Sequence, residues 1–105
     1  MKKIIFFFAF SCLSTLAIAD PIWIDVRSAE EYAHHHINGD LNIPHEEITS
    51  YVQKLSPDRN TEINLYCRTG RRSGIATAEL KKAGYKNIIN TESIEKTRKM
   101  RLLDQ

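Results

Sequence analysis

Apolar positions along the chain change period several times, and each change marks an element. After Pro21, Ile22 to Val26 is a β-forming run. Ser28-Ala29-Glu30-Glu31 has the spacing in which a hydroxyl and a carboxylate cap each other's backbone N–H groups, so a short helix starts there. Asn38-Gly39-Asp40 predicts a turn, and Leu41 to Ile43 a short extended piece ended by Pro44. Between Glu46 and Leu55, the positions Ile48, Val52 and Leu55 recur at helical spacing and are expected to face inward. Ser56-Pro57-Asp58-Arg59-Asn60 breaks that helix. Glu62 to Tyr66 reads as a strand that delivers Cys67, and Ser73 to Ala83 reads as a helix stopping near Gly84. Asn87 to Ile89 is a last short strand. Ile94, Met100, Leu102 and Leu103 suggest a weak helix followed by a mobile end.

Strands and helices therefore alternate, with no internal repeat or low-complexity linker. That order predicts an α/β fold: one small parallel sheet with helices on both faces. In such sheets ligands collect beyond the carboxyl ends of the strands, and Cys67 lies at that edge.

The first residues carry a different message. Lys2 and Lys3 precede an apolar run from Ile4 to Leu16, and Ala17-Ile18-Ala19 is a small-x-small cleavage site. Residues 1–19 are expected to be a cleavable secretory signal peptide, directing residues 20–105 to the periplasm as one domain. The run is shorter than the roughly 20 residues a membrane-spanning helix needs. Losing Lys2 and Lys3 brings the 15 Lys and Arg level with the 13 Asp and Glu. A neutral mature chain has no global attraction for nucleic acid or an anionic membrane. We expect a small monomer whose positive charge is local, at the Cys67 loop and along Lys96, Arg98, Lys99 and Arg101. The second cluster is read as a solvated helix face or frayed tail.

Cys12 leaves with the signal, so Cys67 has no partner for an internal disulfide. A lone thiol in an oxidising compartment invites oxidation, which argues for a use. Only the thiolate attacks, and an ordinary thiol ionises near pH 8.5, so a neutral-pH nucleophile needs positive potential beside it. Cys67-Arg68-Thr69-Gly70-Arg71-Arg72-Ser73 offers three arginines, a glycine able to take a positive φ, and the start of a helix. Ser73 is expected to cap that helix. The duller alternative is a cysteine buried as a small apolar side chain at a strand end.

Loop length separates two chemistries. Cysteine phosphatases carry Cys-x5-Arg, whose arginine grips two oxygens of a phosphoryl group. Here the sixth position after Cys67 is Ser73, and Arg72 comes one residue early. So small a cradle better fits a persulfide sulfur.

The ordered succession of Trp23-Ile24-Asp25-Val26-Arg27, Glu30-Glu31-Tyr32, His36-Ile37-Asn38-Gly39, Asn42-Ile43-Pro44 and the Cys67 loop resembles the rhodanese family over most of the mature chain. The resemblance implies a thiosulfate sulfurtransferase. Cys67 would be the nucleophile and persulfide carrier, and Arg68, Thr69, Gly70, Arg71, Arg72 and Ser73 the substrate cradle, with Arg71 or Arg72 drawing in the sulfonate. It further implies ping-pong transfer to cyanide or a thiol, with no metal or organic cofactor. A persulfide-carrying or partner-binding module with little turnover is the alternative. One departure stands out: Asn90-Thr91-Glu92-Ser93 replaces the Gly-Gly turn usual in the family, and Glu92 would be an awkward charge near an anion site.

Other residues are read structurally. Consecutive histidines at 34–36 share no face of a helix or strand, so with His45 they make a poor metal site. Asp25 and Arg27 suggest a structural ion pair. Trp23 and Tyr66 are expected in the core.

Overall fold

The computed structural model describes residues 20–103; the signal sequence expected at 1–19 lies outside them. The elements are β1 (Ile22–Asp25), α1 (Ala29–His34), β2 (Leu41–Asn42), α2 (Ile48–Leu55), β3 (Ile63–Cys67), α3 (Arg71–Lys82), β4 (Ile88–Ser93) and α4 (Ile94–Met100). The strands form one parallel sheet in the order β2-β1-β3-β4, with the helices packed around it. This is the α/β architecture that the alternation predicts.

All five residues of β3 are buried, as a central strand covered on both faces requires. Side chains alternate along it. Ile63, Leu65 and Cys67 join Ile24, Val26, Ile48, Val52, Ala76 and Leu80 in the main core. Tyr66 points the other way, to a smaller cluster with Ile37 and Ile94. Cys67 is thus the last core residue of its face before the chain turns into the loop.

The Ser28 and Glu31 capping box is formed: Glu31 N–H donates to Ser28 Oγ at 3.1 Å, and Ser28 N–H donates to Glu31 Oε1 at 3.0 Å. Helix α2 begins two residues later than expected, because His45–Glu47 is a 3₁₀ turn. Its inward face holds Ile48 and Val52, whereas Leu55 is exposed.

The largest departure concerns β4, which runs four residues beyond Ile89. Leu65 pairs with Asn90 but Tyr66 pairs with Glu92, so Thr91 is an extra residue bulged out of register. The buried Thr91 hydroxyl donates to Leu65 O at 3.2 Å and meets Thr97 Oγ1 at 2.7 Å. A polar side chain satisfied in this way carries none of the apolar alternation by which a strand is recognised. Glu92 emerges from the bulge with φ +76°.

In the carboxyl-terminal basic cluster Lys96 and Lys99 are exposed, as a solvated face requires, whereas Arg98 and Arg101 are partly buried. Arg101 pairs with the buried Asp40 at 2.7 Å and lies 4.0 Å over the Trp23 ring. Arg98 donates to His36 O, and Lys96 pairs with Glu92 at 3.0 Å. Tyr66 is fully buried, as expected, while Trp23 is only partly covered.

Candidate active site

At the carboxyl end of β1, Arg27 folds back on Asp25 through Nε and Nη2, with the shortest contact 2.8 Å. Both side chains are buried, 3% and 0% exposed, so the pair survives by satisfying each other's charge. Arg27 Nη2 also donates to His35 O at 2.8 Å, tying down the end of α1. From β2, Asn42 Nδ2 donates to the carbonyls of Asp25 and Arg27, both at 3.0 Å. The first half of the chain thus makes a rigid rim beside the cysteine loop.

Cys67 is 1% exposed. Gly70 N–H donates to Sγ at 2.9 Å, and Ser73 Oγ stands 3.6 Å from the sulfur. Gly70, at φ +101°, is the residue before α3, and only that left-handed backbone turns its N–H onto the sulfur while the helix starts at Arg71. Burial pushes the Cys67 thiol up. Hydrogen bonding from the Ser73 hydroxyl and from the backbone N–H groups of Ser73, Gly70 and Thr69 outweighs it, and the net displacement is below the ordinary thiol value.

Ser73 does not cap α3. It lies inside the first turn, 0% exposed, with its hydroxyl 2.7 Å from Asn90 Oδ1. Nor is Arg72 turned toward an incoming anion: its Nη1 and Nη2 reach Glu31 Oε1 and Oε2 at 2.7 and 3.0 Å. That bond, with burial opposing it and Ser28 assisting, holds the Glu31 carboxyl down at about 2. Arg68, Thr69 and Arg71 are exposed, so the cations presented to solvent are Arg68 and Arg71. Glu92 is close to the loop, with its Cβ 3.3 Å from where a side chain on Gly70 would begin. Its charge is offset by Lys96.

A cavity of about 1100 Å³ opens beside the loop, walled by Arg27, Glu31, His35, Arg68, Thr69 and Arg98 among others. His36 is turned inward, its Nδ1 2.8 Å from Tyr32 O and its ring stacked on Tyr32 at 4.0 Å. Glu31 and Asn90 touch the loop from elements remote in sequence, and no local spacing signals those two contacts.

A parallel sheet whose central strand ends at a buried thiol met by backbone N–H donors is an α/β frame suited to a cysteine nucleophile. Residues 12–93 match the family model described as a rhodanese-like domain, and this chain belongs to that family. It is 37% identical over 73 residues to the thiosulfate sulfurtransferase PspE of Escherichia coli strain K12, covering 70% of each chain. It is 42% identical over 67 residues to the putative sulfur carrier protein YrkF of Bacillus subtilis strain 168, covering 64% of this chain and 35% of that one. Among solved structures it is similar to a rhodanese with anions from E. coli, with TM-score 0.69, 35% identity and coverage of 73% and 91% of the two chains.

Proposed function

We propose that the protein is a thiosulfate sulfurtransferase working through a persulfide on Cys67. The observation that carries this reading is the thiol itself: buried, displaced toward ionisation, and met by Gly70 N–H at 2.9 Å. In the first step the Cys67 thiolate attacks the outer sulfur of thiosulfate. A sulfur–sulfur bond forms on the enzyme while the thiosulfate sulfur–sulfur bond breaks, and sulfite leaves with that electron pair. In the second step a thiolate or cyanide takes the terminal sulfur and Cys67 leaves as thiolate. Charge is conserved in both steps, and no oxidant is consumed. The same N–H groups that favour the thiolate favour the anionic persulfide, so the covalent intermediate divides the transfer into two easier displacements.

Arg68 and Arg71 are the cations open to an arriving dianion, while Arg72 holds the loop through Glu31. The site lies in residues 20–105, which we propose act in the periplasm, as a monomer, once residues 1–19 are removed. The likeness to YrkF supports a second reading, a sulfur carrier with little turnover. Mass spectrometry after thiosulfate treatment tests the first step: one added sulfur atom on Cys67, removable by cyanide, is expected. No added sulfur overturns both readings, and a loaded Cys67 without steady-state turnover selects the carrier.

A further inference from the structure

Ser73 Oγ has one proton and several neighbours that could take it. Asn90 Oδ1 is 2.7 Å away, Gly70 O 3.2 Å and Glu92 O 3.4 Å, with Cys67 Sγ at 3.6 Å. Which end of the Asn90 amide faces Ser73 is settled by a third group. Glu92 N–H lies 2.9 Å from the same Asn90 atom, and a backbone N–H only donates, so that atom is oxygen. The Ser73 hydroxyl therefore donates to Asn90, and toward Cys67 it presents a lone pair. This suits a thiol, whose S–H donates to Ser73; the Ser73 hydroxyl favours the thiolate only once its proton has swung from Asn90 onto the sulfur.

We propose that Asn90 is a positioning residue that holds the Ser73 hydroxyl as an acceptor and thereby restrains ionisation of Cys67. When the thiol loses its proton, Ser73 keeps its lone pair against the new charge or swings its proton to the sulfur and gives up its shortest hydrogen bond. Both routes cost about one hydrogen bond. The Thr91 bulge supplies the geometry, since it brings the Glu92 N–H round onto Asn90 and locks the amide. Asn90 thus keeps the resting sulfur less ionised than its ring of N–H donors would make it. The thiolate is the form that oxidants attack, so the same restraint protects an unpaired cysteine.

The charged groups around Cys67 are Arg68 and Arg71 on its own loop and the start of α3, Arg72 on α3 with Glu31 on α1, Asp25 at the end of β1 with Arg27, and Glu92 on β4 with Lys96. A neutral substitution at Asn90 alters the charge of none of them. The inference rests on Cys67 acting as a thiolate, yet its test needs no sulfur transfer.

The test is the pH dependence of iodoacetamide alkylation in the full chain, read by peptide mass spectrometry so that Cys67 is separated from Cys12. Asn90→Ala is expected to lower the Cys67 midpoint by about half to one pH unit, and to raise its rate of oxidation by hydrogen peroxide near neutral pH about three- to tenfold. In a Ser73→Ala background the same change should move the midpoint little, because the effect travels through that hydroxyl. Asn90→Asp, which keeps the acceptor and adds negative charge, should not lower it. Should Asn90→Ala fail to fold by circular dichroism, Asn90→Leu, closer to asparagine in volume, replaces it. A midpoint unchanged or raised in the folded variant overturns the proposal, as does a fall that persists without the Ser73 hydroxyl. A lowered midpoint in Asn90→Ala, alongside a wild-type Cys67 that takes no sulfur from thiosulfate, would instead count against the proposed function alone.

Discussion

Arg72 and Glu31, 41 positions apart in sequence, meet in a two-pronged ion pair that ties the first turn of α3 to α1. Glu31 closes the capping box of its own helix at the same time, so one carboxylate fixes two elements. Glu31→Gln should lower stability by on the order of 1–3 kcal/mol, the range for a charge-assisted hydrogen bond at a partly exposed site. Chemical denaturation with matched slopes measures it. Loss within 0.3 kcal/mol of zero would mean that the pair contributes nothing to the fold.

The same pair sets an acid limit. A carboxyl held at about 2 when folded and near 4.5 when unfolded contributes stability that is complete above pH 4.5 and lost as pH falls toward 2. Wild-type stability should therefore drop across that window more steeply than that of Glu31→Gln. Melting temperature followed from pH 6 to pH 2 in both proteins makes the comparison. Parallel curves would show that Glu31 does not titrate as described.

Cys67→Ser is nearly isosteric and leaves every charged neighbour in place. Sulfur transfer from thiosulfate should fall below detection while the melting temperature changes by only a few degrees. In the wild type, turnover should rise with pH through an ionisation below that of an ordinary thiol, since only the thiolate attacks. A rate that climbs steadily past pH 9 would place the thiol in an unperturbed environment.

Gly70→Ala puts a side chain where φ is +101° and the nearest carbon of Glu92 is 3.3 Å away. The strained backbone costs about 1–3 kcal/mol, and relief would turn the Gly70 N–H away from the sulfur. We expect lower stability together with a higher alkylation midpoint for Cys67. A variant that loses stability and keeps its midpoint would show that this N–H does not tune the thiol.

Asp25→Ala strands the Arg27 guanidinium in a site only 3% exposed. The expected loss is about 3–5 kcal/mol, enough to leave a small domain largely unfolded at growth temperature. Arg27→Met, which removes the charge and keeps the bulk, leaves the Asp25 carboxylate in turn and should be comparably damaging. Denaturation midpoints rank the two, and a mild effect of both would mean that water reaches the pair.

What could be read from the chain was local. Ser28 and Glu31 of the cap are three positions apart, Cys67 stands at the end of an apolar strand, and Asp25 and Arg27 are two positions apart. Each declares itself through spacing. The partners of Arg72 and Ser73 do not, because Glu31 and Asn90 are brought there by α1 and a bulged strand whose register depends on two buried threonine hydroxyls. An amino acid suited to a helix cap looks the same whether it caps or, like Ser73, is drawn into the core by an amide 17 residues away. Likewise the basic run at 96–101 has a solvated look until Asp40 and the Trp23 ring are folded up to Arg101.

That last contact carries a lesson about timing. The indole near the start of the sheet and the carboxylate buried under Tyr66 acquire their cationic cover only when residue 101 has left the ribosome. A polypeptide not yet grown to Arg101 keeps Asp40 on the Tyr66 hydroxyl alone and leaves the Trp23 ring without its cation. The face of the sheet around Trp23 therefore closes after every residue of the Cys67 loop has been synthesised.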